Sequence, residues 1–192
     1  EPPKNVYFIL LSRTLNIIPT IKSRTIKFHL SGMNNEELGV SKEIYYFFDG
    51  NENDILEFKR QNLSLDDIKF QINTVEDILQ IVTEMKNYMS GEFAVKNSLD
   101  LTIKYNKSIE LIARRIRFWE LENVYFFINE IENELKKERE FLIGFLSKII
   151  INAKNFVETE DLKNLINLKN SIRNNVNIKS VLFNFFDILQ NS

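Results

Sequence analysis

The sequence predicts a mainly α-helical protein in which a short α/β-like opening leads into a bundle of amphipathic helices. Three observations predict this. The 192 residues include only five glycines and three prolines, and all three prolines lie within the first 20, so little interrupts a helix after residue 50. From residue 74 onward, apolar residues recur at intervals of three and four, the spacing of one helix face. The opening carries the one continuous apolar run with strand character, Val6-Tyr7-Phe8-Ile9-Leu10-Leu11.

That run follows Glu1-Pro2-Pro3-Lys4-Asn5 and reads as a buried strand. A buried strand needs neighbours on both sides, and Thr25 to Leu30 is the one further candidate; two strands make no stable sheet alone. Residues 1–30 are therefore expected to be the tail end of a larger α/β domain. Residues 34–48 and 51–60 are predicted as two short helices separated by Asp49-Gly50, with Gly50 ending the first. Residues 61–73 are polar and irregular and read as a linker.

Helix then follows helix. Val75, Ile78, Leu79, Val82, Met85 and Met89 form one stripe, opened by Thr74 and Asp77. Ile109, Ile112, Ala113, Ile116 and Trp119 form a second. A third runs from Val124 to Ala153, long enough for one helix or two. Leu162, Leu165, Ile166 and Ile172 give a short helix, and Val181, Leu182, Phe185, Phe186 and Leu189 give the last. About five such helices with short connections predict a compact bundle over 74–192.

Composition excludes several functions. An apolar fraction of 44% suits a sizeable core. A net charge of -2 argues against wholesale coating of nucleic acid, although a local basic patch is compatible with it. Without cysteine the chain has no disulfide, thiolate zinc site or cysteine nucleophile, which fits a cytoplasmic protein. No basic-then-apolar leader opens it. The longest apolar region, Phe141 to Ala153, is broken by Lys148 and is too short to span a bilayer, so no membrane partner is expected. The lone histidine, His29, cannot form a histidine metal site by itself and reads as structural, and no metal is expected. Neither a Gly-x-x-x-x-Gly-Lys-Ser/Thr loop nor an acidic strand of the kind that accompanies it occurs, so this chain is expected to bind no ATP in the usual phosphate-loop way.

The most informative stretch joins Glu1-Pro2-Pro3, Phe8-Ile9-Leu10-Leu11-Ser12 and Ile18-Pro19-Thr20-Ile21-Lys22-Ser23-Arg24-Thr25. In that order it resembles the AAA+ clamp-loader subunits. These carry a helix ending in a Glu-Pro-Pro element, a strand ending in Thr or Ser, then a proline and a Ser-Arg-Cys element before the next strand. Thr25 stands where the family usually has Cys, and the loop from Ser12 to Pro19 is one residue shorter than is common. The resemblance implies that Arg24 is an arginine finger acting in trans, that Ser23 helps position it, and that Ser12 occupies a vestigial sensor-1 position. Phosphoryl transfer builds negative charge on the transferred group, and such a finger contributes roughly 10³–10⁵ in rate. Arginine suits this because its planar fork stays charged and can bridge two oxygens. Taken alone, Arg24 would read as a surface arginine after a helix turn, and Ser12 as a strand-ending hydroxyl.

Two further stretches bear on the resemblance. Hydrolysing clamp-loader subunits open a lid helix with Gly-Ser-x-Arg-Asp-Ala-Leu, whose arginine contacts ATP. Laid onto Asp49-Gly50-Asn51-Glu52-Asn53-Asp54-Ile55-Leu56, that arginine position falls on Asn53, which has no charge to offer. The departure points to the non-hydrolysing delta-prime type rather than the hydrolysing γ/τ type; Asn51 reads equally as an ordinary N-cap. The segment Asn175-Val176-Asn177-Ile178-Lys179-Ser180-Val181-Leu182-Phe183 is similar to the opening of the last collar helix in the family, and an N-cap at Asn177 explains it without any function.

Elsewhere the pattern is less specific. Glu130 to Glu140 alternates in sign and reads as the solvated face of one helix. Arg114, Arg115, Arg117, Phe118 and Trp119 form the tight basic-aromatic cluster. It reads first as a rim around a buried Trp and second as a contact for DNA phosphates or a neighbouring subunit.

The resemblance as a whole implies three parts: the C-terminal remnant of an AAA+ α/β nucleotide-binding domain over 1–30, a small helical lid over 31–60 and, after the linker 61–73, a helical-bundle collar over 74–192. The expected function is a non-hydrolysing clamp-loader subunit of the DNA polymerase III holoenzyme, a DNA-directed DNA polymerase, acting in DNA replication. It would meet the γ/τ and δ subunits through its collar. Within the assembled complex it would meet the sliding clamp and primer-template DNA, with ATP held by a neighbouring subunit. The alternatives are a degenerate γ/τ-type subunit and an unrelated helical-bundle interaction module.

Overall fold

The structure, a computed structural model, describes residues 9, 20, 23–26, 28, 31–65, 72, 74–92, 97–174 and 176–192. Contacts divide the chain into two units, Glu1–Gly32 and Met33–Ser192. In the first unit the strands expected at 6–11 and 25–30 lie outside the described residues except for Ile9, Thr25, Ile26 and Phe28. Ile9, Ile26 and Phe28 lie outside any strand and are 84–87% exposed. No described residue forms a strand.

The second unit is helical, and local chemistry sets most of its boundaries. Its eight described α-helices are α1 (Lys42–Phe47), α2 (Glu52–Arg60), α3 (Val75–Ser90), α4 (Ser98–Arg115), α5 (Leu121–Leu135), α6 (Arg139–Ala153), α7 (Thr159–Ser171) and α8 (Ile178–Asn191). A single 3₁₀ turn, Ile116–Phe118, follows α4. Five N-caps are side chains that accept from first-turn amides: Ser41, Asn51, Thr74, Asn97 and Asn177. Thr74 and Asp77 satisfy each other's backbone N–H in a full capping box, as their spacing predicts. Gly91, at φ +79°, then ends α3 in the left-handed conformation.

Three predicted boundaries are corrected. The helix expected over 34–48 exists only as α1. Residues 35–39 form turns instead, because the Asn34 carboxamide oxygen accepts from Glu36 and Glu37 and Gly39 reverses the chain at φ +60°. The third stripe, read as one helix or two, is two, and the alternating-sign run Glu130 to Glu140, expected on one helix, crosses the break at 136–138. Arg139, at the start of α6, donates to the carbonyls of Ile172 (3.0 Å) and Asn174 (2.7 Å) and ties down the end of α7. Of the second stripe, Ile109, Ile112 and Ala113 are the far end of α4, which begins eleven residues before Ile109, while Ile116 lies in the 3₁₀ turn and Trp119 just after it.

Helix α4 is the axis of the unit. Its Ile109 and Ile112 join the large core made by α3 and α5–α8, where Phe127, Phe145, Phe185 and Phe186 are fully buried. Each such side chain contributes about 1.5–3 kcal/mol through removal from water. Its N-terminal half carries Leu99 and Ile103, which complete a second, smaller core with Leu38, Phe48, Ile55 and Phe58 of the α1–α2 hairpin. Among the described residues no helix is long and apolar enough to cross a membrane.

Candidate functional site

The residues singled out from the sequence fall in three places. The first is the bend at Ser23-Arg24. The Ser23 hydroxyl donates to the carbonyl of Thr20 at 3.1 Å, a local side-chain bond that braces the turn. Arg24 follows immediately in a bend and is exposed, as are Thr25 and Ile26. An exposed guanidinium on a braced turn can form a charge-assisted contact with an anion supplied from outside its own chain. Ser12, the expected sensor-1 position, and His29 lie outside the described residues.

The second place is the α1–α2 turn. Asp49 and Gly50 both adopt positive φ, 51° and 68°, which turns the chain sharply between the two helices. Asn51 caps α2 by accepting from Asn53 N–H (3.1 Å) and Asp54 N–H (3.3 Å). Asn53 is exposed and uncharged, so this helix start presents no cation at that position. Asp54 is 7% exposed and accepts from Asn51 Nδ2 (3.0 Å) and from the Thr102 hydroxyl (3.1 Å) of α4. Burial raises its pKa above the ordinary carboxyl value, against the opposing pull of the Thr102 hydrogen bond and the Lys148 charge.

Beside it lies a polar seam that the sequence alone did not reveal. Lys148 of α6 pairs with Asp49 and donates to Asn106 Oδ1 at 2.6 Å, while Asn106 Nδ2 donates to the carbonyl of Phe47 at 2.6 Å. The same ammonium lies 5.4 Å from the ring centre of Tyr105, whose hydroxyl pKa is driven upward by burial and further by the Asp49 charge. A signal was present. Thr102 and Asn106 stand four apart on a helix whose other buried residues are apolar save Ser108, and Lys148 interrupts the apolar run 141–153.

The third place is the basic-aromatic cluster, and here the structure separates what the sequence holds together. Arg114 pairs with Glu110 on its own helix at 2.9 Å. Arg115 lines a groove of about 380 Å³ with Glu76, Thr74, Trp119 and Asn123. Arg117 stacks 4.8 Å from the Phe118 ring centre and 6.0 Å from that of Phe156. Trp119 packs edge-on against Phe127 at 5.5 Å and is only partly buried, so the expected rim of arginines around a buried Trp reduces to Arg115. Near the C-terminus, Asn177 caps α8 at 3.0 Å, and Val181, Leu182, Phe185 and Phe186 are buried, which accounts for that segment structurally.

Among the described residues no group of three or more His, Cys, Asp or Glu could hold a metal ion. No protein-family model matches the chain, and no curated protein and no solved structure is significantly similar to it.

Proposed function

We propose that this chain is a cytoplasmic, non-hydrolysing clamp-loader subunit of the delta-prime type, acting with the DNA polymerase III holoenzyme. In this reading residues 1–30 close an AAA+ nucleotide-binding fold. The α1–α2 hairpin is its lid, and α3–α8 form a collar that meets the γ/τ and δ subunits. Arg24 enters the ATP site of a neighbouring γ/τ subunit and neutralises charge as the γ-phosphoryl group leaves. The ring so driven loads the sliding clamp on primer-template DNA.

The observation that carries the reading is the ordered set Glu1-Pro2-Pro3, Ser12, Pro19 and Ser23-Arg24-Thr25, joined to the exposure of Arg24 on a turn braced by Ser23. The uncharged Asn53 supports the non-hydrolysing type, because an ATP-using lid places a cation at that point. In a loader reconstituted with its partner subunits, Arg24→Ala is expected to leave assembly intact and to lower ATP turnover by the share of the one site that loses its finger. Unchanged turnover would refute the role. The chain alone is expected to show no ATP binding in calorimetry, and micromolar affinity would overturn the assignment.

A second reading, a helical interaction module in which the opening residues play no catalytic part, is favoured by one observation: Phe118, Leu121 and Tyr125 are 50–73% exposed at one end of α4 and the start of α5. Under it, Arg24→Ala would be silent while substitutions at those three positions abolished complex formation.

A further inference from the structure

We propose that the α1–α2 hairpin is a detachable cap, latched to the bundle by Lys148 and able to open while the α3–α8 core stays folded. The proposal does not depend on the clamp-loader reading. It rests on how differently the two cores of the second unit are built.

The hairpin holds itself together. Met33 N–H donates to Glu52 Oε1 at 2.6 Å, Lys59 Nζ donates to the carbonyl of Leu38 at 2.6 Å, and Phe48 packs on Phe58 at 5.2 Å between ring centres. Its apolar attachment to the bundle is small, because Leu99 and Ile103 of α4 are the bundle side chains in that core. The rest of the attachment is polar. It includes the Thr102–Asp54 hydrogen bond, the Asn106–Phe47 carbonyl hydrogen bond, the Lys148–Asp49 ion pair and the Lys107 ammonium 5.8 Å from the Phe47 ring centre.

Polar contacts of this kind exchange for water on opening, so their loss costs far less than exposing an equal apolar surface. They nevertheless set one docked geometry, since an unpaired group left inside the seam would be heavily penalised. Lys148 is the closing element. Its ammonium engages Asp49 of the hairpin and Asn106 of α4 together, and Asn106 in turn holds the Phe47 carbonyl. With its side chain 22% exposed, Lys148 is neither free in solvent nor sealed in the core. Units joined in this way open as local, cooperative segments below the global unfolding free energy.

The test is native-state hydrogen exchange on the whole chain. In the wild-type protein, hairpin amides such as those of Ile55 and Gln61 are expected to exchange together and at least tenfold faster than amides of α6 and α8. Lys148→Met is expected to raise exchange across the hairpin about tenfold further and leave α8 unchanged. Equal protection of hairpin and bundle in the wild type would overturn the proposal, as would a Lys148→Met effect spread evenly over both. Asp49→Asn serves as a second variant at a half-exposed position, should Lys148→Met fold poorly. It is expected to raise hairpin exchange severalfold, and no change in that variant would equally sink the latch.

Discussion

Asp54 shows how one buried carboxylate shapes the second unit. Its hydrogen bonds to Asn51 and Thr102 favour the charged form, yet burial outweighs them and lifts its pKa above 3.8. The native state therefore holds the Asp54 proton more tightly than the unfolded chain does. The stability this residue contributes is full below the ordinary carboxyl value and is lost as pH rises through the raised, folded value. Asp54→Asn keeps an acceptor for Asn51 and Thr102 and removes the buried charge. Its melting temperature is predicted to exceed that of wild type near neutral pH, by about 2–4 °C for each kcal/mol relieved. The difference should close in thermal melts below about pH 3, where both side chains are neutral. A variant that melts lower than wild type at neutral pH would show that the charge stabilises its helix start more than burial penalises it.

At the scale of the element, what the sequence disclosed and what it concealed follow one physical division. Thr74 with Asp77, Asn51 and Asn177 were legible as helix starts because capping is local: the side chain and the amides it satisfies lie within three residues. The start of α4 was not legible. Thr102 and Asn106 occupy inward positions and break the apolar period, and their partners stand 48 and 59 residues away in sequence. Whether one helix or two spans Val124 to Ala153 stayed open for a similar reason, since the contacts of Arg139 lie 33 and 35 residues distant. Two predictions belong here. Thr74→Ala removes the box that opens α3 and should cost about 1 kcal/mol in chemical denaturation. Phe185→Ala leaves a cavity where α8 meets the large core and should cost about 3–5 kcal/mol; a loss near that of a surface substitution would mean α8 is not part of the core.

Over the whole molecule, a mainly helical architecture was readable from the scarcity of glycine and proline and from the three-and-four spacing of apolar residues. The candidate site was readable only as an ordered set of short elements around Arg24. Composition is silent about a single surface arginine, and such a residue works, in the reading proposed, only against a nucleotide its own chain does not hold. The seam at Lys148 was the opposite case, marked in sequence only by single polar residues within apolar stretches and evident once the helices are packed. Both ideas place the chemistry of this protein at boundaries, one between chains and one between a hairpin and its bundle. The proposed trans action of Arg24 is tested most directly by rapid-quench, single-turnover ATP hydrolysis in the assembled loader carrying Arg24→Lys. Lysine keeps the charge but loses the two-oxygen fork, so hydrolysis at the neighbouring site is predicted to slow about tenfold or more with the complex intact. Hydrolysis at the wild-type rate in that complex would show that Arg24 plays no part at the neighbouring site.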